Sequence, residues 1–409
     1  MQKFRESGSR LLNLSTHAFL GIAVILFILQ AQAVFIKIQG NSLSVYALVL
    51  GVVFLFFALL GQMVILFSRV NTSSDTLAAP FRGMLVLSPL IALAVFATVW
   101  LVVEWRIEGA QNLLALYVLV IGSFIFGFAD VRVQEQTVMT LLSALTTIVS
   151  LVFVAFRFLN IEYFADRQFA MIALVGLAAA VAIPRNNWVT RANPYLIFLA
   201  VVVSGSRTAT LLALVMLLFI HSKSGASVWV QIGRRIFTLV ASGVAIALTY
   251  LTLNLLTVRE VERGAEGTAS EILTNSNGRF SAWAEFIGLL KSPTDWIVGI
   301  GTGGAMEFGT ANLPFFSHPH NEYIRYLVDL GIIGLLLLAV GSIILLVTLL
   351  KDRGLQYAAP KAGFLVMMAL AGMSLTDGPL YSSFVVIPAI VVVGLGLRRS
   401  EKGLQTGLP

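Results

Sequence analysis

Long apolar runs separated by short polar stretches set the rhythm of the chain. They fall at approximately 18–36, 43–67, 84–104, 112–129, 136–158, 169–183, 193–203, 207–221, 235–257, 322–350, 360–376 and 381–397. A hydrocarbon core about 30 Å thick takes about 20 apolar residues of helix to cross. Inside it, a helix satisfies its own backbone polar groups. The pattern therefore predicts an all-α, polytopic membrane protein with about twelve transmembrane helices. The seventh and eighth runs are short and are separated by Ser204-Gly205-Ser206, ahead of Arg207. They are either two short helices or one broken helix.

One stretch departs from the short-loop rhythm. Between Val258 and Ser317 the chain is polar and charged, and a loop of this length is functional or disordered. Its aromatic residues argue for order. From Arg279 it reads RFSAWAEFIGLL, which puts Phe280, Trp283, Phe286, Ile287 and Leu290 on one side of a helix, with Asn277 and Gly278 at its start. Such a helix is expected to lie in the membrane interface with its apolar face down. The organisation expected is one integrated membrane domain: helices over 1–257, a loop with short helices over 258–320, and helices with a tail over 321–409.

Composition agrees with the pattern. Hydrophobic residues make up 58% and charged residues 11%, against about 25% charged in soluble domains. The net charge of +7 is explained by loop lysines and arginines rather than by a nucleic-acid partner. With the amino terminus inside, 17 of the 27 lysines and arginines fall on the inner side, as the positive-inside rule requires. Both termini are then cytoplasmic and residues 258–317 lie outside. Lys3, Arg5 and Arg10 before an apolar run, with Ala31-Gln32-Ala33 beyond, resemble a signal peptide. The apolar run continues past that point, so an uncleaved first helix is expected. The absence of cysteine excludes disulfides, thiolate nucleophiles and cysteine-ligated metal.

Candidate chemistry concentrates in HPHNEYIRYLVDLGIIG, residues 318–334. His320 and Asn321 stand where a helix begins. Imidazole exchanges a proton near neutrality, so His320 either takes one from a hydroxyl or only hydrogen-bonds nearby backbone. Arg207 abuts a membrane segment, where an ionisable group is costly and functional by default. Its planar fork suits phosphate oxygens, or equally a lipid headgroup. Arg279 sits near headgroup level, free to reach a ligand or rest on Trp283. Residues 299–304, GIGTGG, lack the strand and helix of a nucleotide loop and are expected to form a flexible turn. Glu322, Arg325 and Asp329 share one helix stripe as a network, with Glu322 a candidate partner for a histidine. Asp377 caps a helix or touches substrate. His318 and His320 alone are too few ligands for a metal.

SGSRTATLLALVMLL from Ser204, GRFSAWAEF from Gly278, GIGTGG and HPHNEYIRYLVDLGIIG resemble, in this order, the bacterial O-antigen ligase and O-antigen polymerase family. The likeness is specific from about Ser204 to Gly334; upstream only the multi-span character agrees. It implies a glycosyltransferase of lipopolysaccharide biosynthesis, in the bacterial inner membrane with a periplasmic catalytic loop. Such a ligase moves a polysaccharide from undecaprenyl diphosphate to a hydroxyl of the lipid A–core, with inversion and without metal or cofactor. On the matching positions, Arg207 and Arg279 would hold the diphosphate and His320 would activate the acceptor hydroxyl. Asn321, Glu322, His318 and Asp377 would support them. A polymerase using the same donor is the alternative, followed by a protein O-oligosaccharyltransferase. A transporter of lipid-linked sugars is the non-enzyme alternative, but the charged residues fall at span ends and in loops rather than along a pathway within spans.

Overall fold

A computed structural model describes residues 2–29, 36–38, 41–69, 78–129, 131–159, 161, 164–221, 279–313 and 317–405. The ninth predicted span (235–257), loop residues 258–278 and Ala31-Gln32-Ala33 lie outside the described residues. The helices are α1 (Gln2–Leu29), α2 (Leu43–Arg69), α3 (Ala78–Val103), α4 (Ile107–Phe128), α5 (Glu135–Phe158), α6 (Asp166–Ala182), α7 (Trp188–Val203) and α8 (Arg207–Leu218). They continue as α9 (Arg279–Ile287), α10 (Pro293–Val298), α11 (Gly304–Asn312), α12 (Glu322–Leu350), α13 (Ala358–Met373) and α14 (Ser383–Gln405). A two-residue antiparallel pair, Lys37–Ile38 with Asn41–Ser42, sits between α1 and α2. Each predicted span within the described residues overlaps a helix, though α1 begins at Gln2, well before the run predicted from 18. Six of them, α1 to α5 and α12, are long and apolar enough to cross a membrane. The run broken at 204–206 forms two short helices, α7 and α8.

Two helices form the centre. Residues 169–182 of α6 are buried on every side, as expected of a helix that is apolar all round. It packs against α5, α7, α8, α13 and α14. Helix association inside lipid relies on van der Waals packing rather than on escape from water, which favours small interfacial residues. Ala173, Gly176 and the run Ala178–Ala180 supply them. A Cβ on Gly176 would overlap the Thr146 side chain of α5, and Phe169 stacks on Phe153 at 3.9 Å and 6°. Helix α14 is the second centre; it packs against α1, α4, α6, α12 and α13, and residues 383–397 are buried. The outer helices keep one face for lipid, as α2 does with Val53, Phe56, Leu60, Met63 and Phe67.

Contacts gather the helix ends into separate groups. The starts of α8 and α12, the helix α9 and the turn at 374–382 meet at one end of the bundle. Residues assigned to the other side meet elsewhere: the backbone N–H of Arg132 donates to Asn13 Oδ1 at 3.1 Å.

The segment 299–304 is pinned, not the flexible turn expected. Helix α12 is interrupted at Gly331, where φ is 64° and ψ is −168°. That break in the helical ladder leaves earlier carbonyls open to other donors. The loop uses them: Ile300 N–H donates to the Val328 carbonyl at 2.9 Å and Gly301 N–H to that of Asp329 at 3.0 Å. Glycine is required on both sides of this seam. A Cβ on Gly331 would strike the Ile297 carbonyl, and one on Gly299, at φ 82°, would strike Asp329 backbone. The Asp329 carboxylate accepts from Gly303 and Ala305 N–H at 3.1 and 2.8 Å, satisfying donors at the start of α11. Arg106 completes the seam, donating to the Ile300 carbonyl at 2.8 Å and pairing with Glu104 and Glu307 at 2.6 Å each.

Candidate active site

His320 is the one non-glycine residue with positive φ (49°) among the described residues. A side chain in this region costs free energy, so surrounding bonds must impose it. They are all present. Asn321 caps α12, its Oδ1 accepting from Ile324 N–H at 3.1 Å, while its Nδ2 donates to the Leu375 carbonyl at 3.1 Å. Glu322 N–H donates to the Ser374 carbonyl at 2.8 Å, and Glu322 Oε1 accepts from Leu380 N–H at 2.9 Å. The start of α12 is thereby stitched to the turn at 374–382. From the loop side, Trp283 Nε1 donates to the Pro319 carbonyl at 2.6 Å. The outcome is that His320 Nδ1 stands 3.6 Å from Asp377 Oδ1, with Asp377 buried.

At 3.6 Å the two are within ion-pair reach but beyond a hydrogen bond. The sequence pointed to Glu322 as a histidine's partner, and the structure corrects this. Glu322 is fully buried and its Oε2 accepts from Arg325 Nε at 2.6 Å, with Arg325 Nη2 also in contact. Its other oxygen is taken by Leu380. The Arg325 guanidinium lies 4.7 Å from the Tyr326 ring centroid and 5.7 Å from that of Tyr381. The carboxylate beside His320 is Asp377.

One guanidinium reaches the residue next to Asp377. Arg279, the first residue of α9, donates from Nη1 to the Thr376 carbonyl at 2.8 Å. The Thr376 hydroxyl donates to Thr208 Oγ1 at 3.1 Å, in the first turn of α8, one residue after exposed Arg207. Burial pulls the Arg279 guanidinium below its ordinary range; Arg167, at the start of α6, pushes the same way and Asp377 opposes. An arginine remains charged through such a shift. Thr376 and Asp377, neighbours in the turn, thus bring the Arg279 guanidinium and the His320 imidazole to adjacent positions.

Helix α9 reaches this position differently from expectation. Phe286 of the expected stripe, with Ala282 beside it, packs against Ala305 of α11 and Val328 of α12, so this part of the helix is buried against protein rather than facing the membrane interface. The Phe286 and Phe308 rings meet edge to face at 5.7 Å. Burial of this face is what holds Arg279 and Trp283 at the site. Three residues here were not singled out in the sequence: Arg167, Thr376 and Tyr381. Arg167 had a signal, since parity puts it on the outer side. Thr376 and Tyr381 lie in a seven-residue stretch, TDGPLYS, with no distinguishing spacing. Among the described residues, no group of three His, Asp or Glu side chains converges as metal ligands do.

Residues 195–339 match the model of a protein family described as O-antigen ligase. That segment holds Arg207, Arg279 and His320, and it bears out the resemblance carried by the motifs. Asp377 and Tyr381 lie beyond it. A comparison with curated proteins gives no match.

Proposed function

We propose that this chain, whose residues 195–339 match the O-antigen ligase family model, is a ligase transferring a polysaccharide from undecaprenyl diphosphate to a lipid A–core hydroxyl. The observation that carries the reading is the meeting of His320 and Asp377 with Arg279 and the first turn of α8, on either side of Thr376. His320 removes the proton of the acceptor hydroxyl while its Nδ1 faces Asp377. The oxygen attacks the anomeric carbon as that carbon's bond to the diphosphate breaks. Arg279 and Arg207 take up the charge that develops on the leaving diphosphate, the kind of fixed electrostatic support that stabilises a transition state most. One base and one displacement invert the anomeric centre, and two guanidiniums do without a metal.

The purified protein, given the lipid-linked polysaccharide and lipid A–core with a chelator present, should yield capped core. Elongation of the polymer on its carrier instead would make the protein a polymerase. Each charge-assisted hydrogen bond to a phosphate contributes about 1.5–3 kcal/mol. Arg279→Ala or Arg207→Ala should therefore weaken donor binding by on the order of 10–100-fold. Arg279→Lys should recover only part of the loss, because a point charge cannot reproduce the fork. An unchanged donor KM in both alanine variants would remove the arginines from the diphosphate.

The same reading puts the protein in the inner membrane, with about twelve spans, cytoplasmic termini and a periplasmic site. The cysteine-free chain makes this direct to test by single-cysteine labelling. An impermeant thiol reagent on intact spheroplasts should label Ala311→Cys and spare Asn186→Cys, both exposed positions. The opposite result would invert the topology.

A further inference from the structure

His320 does not stand alone against Asp377. The ring of His318 lies beneath it, with centroids 3.9 Å apart and planes at 44°. His318 Nε2 is 2.5 Å from the Tyr381 hydroxyl, and the Tyr381 ring meets His318 edge to face at 5.1 Å and 78°. On the other side, His318 Nδ1 is 3.2 Å from Ser317 Oγ. We propose that Tyr381 and His318 are a positioning pair for His320: the tyrosine holds His318 in one tautomer, and that neutral ring carries the base as it becomes protonated. The pair rests on the reading of His320 as base and adds to it the residues that set the ring's place.

The protons can be assigned from the surroundings. Burial pushes His318 down to about 3, and His320, Arg325 and Arg279 all add to the shift. Burial raises the Tyr381 phenol, with Glu322 and Asp377 raising it further and Arg325 opposing. At neutral pH His318 is therefore uncharged and Tyr381 keeps its proton. In the proposed pair the hydroxyl donates to Nε2, which places the ring proton of His318 on Nδ1, 3.2 Å from Ser317 Oγ. This matters once His320 accepts a proton. An uncharged ring at 3.9 Å lets an imidazolium form beside it without like-charge repulsion. A second imidazolium there would repel it and weaken the base. Tyr381 prevents that by occupying the nitrogen that would otherwise be protonated.

The test is the pH dependence of kcat with donor and core acceptor saturating, for the full-length protein in micelles. Tyr381→Phe should lower kcat about tenfold, the scale of one hydrogen bond, with donor KM unchanged. His318→Arg puts a fixed cation under His320, so it should lower kcat by more than tenfold and move the acid limb to lower pH. His318→Gln keeps an acceptor for Tyr381 and a flat neutral group, and should recover most of what His318→Ala loses. Wild-type kcat and pH profile in Tyr381→Phe would overturn the pair. So would a His318→Gln enzyme as inactive as His318→Ala, which would make His318 a proton carrier in its own right. Activity surviving in His320→Ala would instead overturn the base on which the pair rests, so the two failures are told apart. Circular dichroism and monodisperse elution of each variant separate lost folding from lost chemistry.

Discussion

His320→Ala should lose transfer by about 10²–10⁴-fold, the usual contribution of a positioned base, while the protein inserts normally and still binds the lipid-linked donor. A sugar hydroxyl is a poor nucleophile, and the proposed proton acceptor is this imidazole, held at φ 49° by the bonds around Asn321 and Glu322. With the donor's diphosphate assigned to Arg207 and Arg279 as proposed, the loss belongs in kcat and not in donor affinity. Asp377→Asn should lie between wild type and His320→Ala, since an amide keeps the shape at 3.6 Å but no longer stabilises the imidazolium. Single-turnover transfer with purified protein measures both. Wild-type rates in His320→Ala would remove the base from the mechanism.

The second large effect is on stability. Glu322→Ala should destabilise the folded protein by about 3–5 kcal/mol, because it strands a buried guanidinium. Glu322 is 1% exposed and Arg325 5%, so neither can turn to water. The loss also frees Leu380 N–H, which Glu322 Oε1 accepts at 2.9 Å, and so loosens the turn that presents Asp377. Replacing both members with apolar residues, as in Glu322→Leu with Arg325→Met, should recover much of the stability, since no lone charge is then left in the interior. Activity should not return fully with it, because the turn at 374–382 still lacks its bond from Leu380 N–H to residue 322. Denaturant unfolding in mixed micelles checks the first part and the transfer assay the second. A Glu322→Ala variant within about 1 kcal/mol of wild type would show that the pair is solvated, against the burial seen here.

Different parts of the protein were legible to different degrees. The helices were legible because lipid leaves the backbone no other way to satisfy itself; the predicted run at 322–350 and α12 have the same bounds. His320, Arg207 and Arg279 stood out because imidazole and guanidinium groups at membrane boundaries in so apolar a chain have few structural reasons to be there.

What the sequence could not decide was partnership. The stripe of α9 looks the same whether it covers lipid or Ala305 and Val328, since both are apolar and the pattern records only the face. The glycines of 299–304 read as freedom, yet they allow two backbones to touch where α12 breaks at Gly331. Glu322 was nearer His320 in sequence than Asp377, but a helix start turns residue 322 inward to Arg325 and Leu380. The folding of α13 and α14 against α12 carries Asp377 and Tyr381 to the histidines. A chain's pattern encodes which face of a helix is buried, because that is a local period. Which side chain meets which across two helices depends on crossing points and turn dihedrals, and only the packed structure sets those.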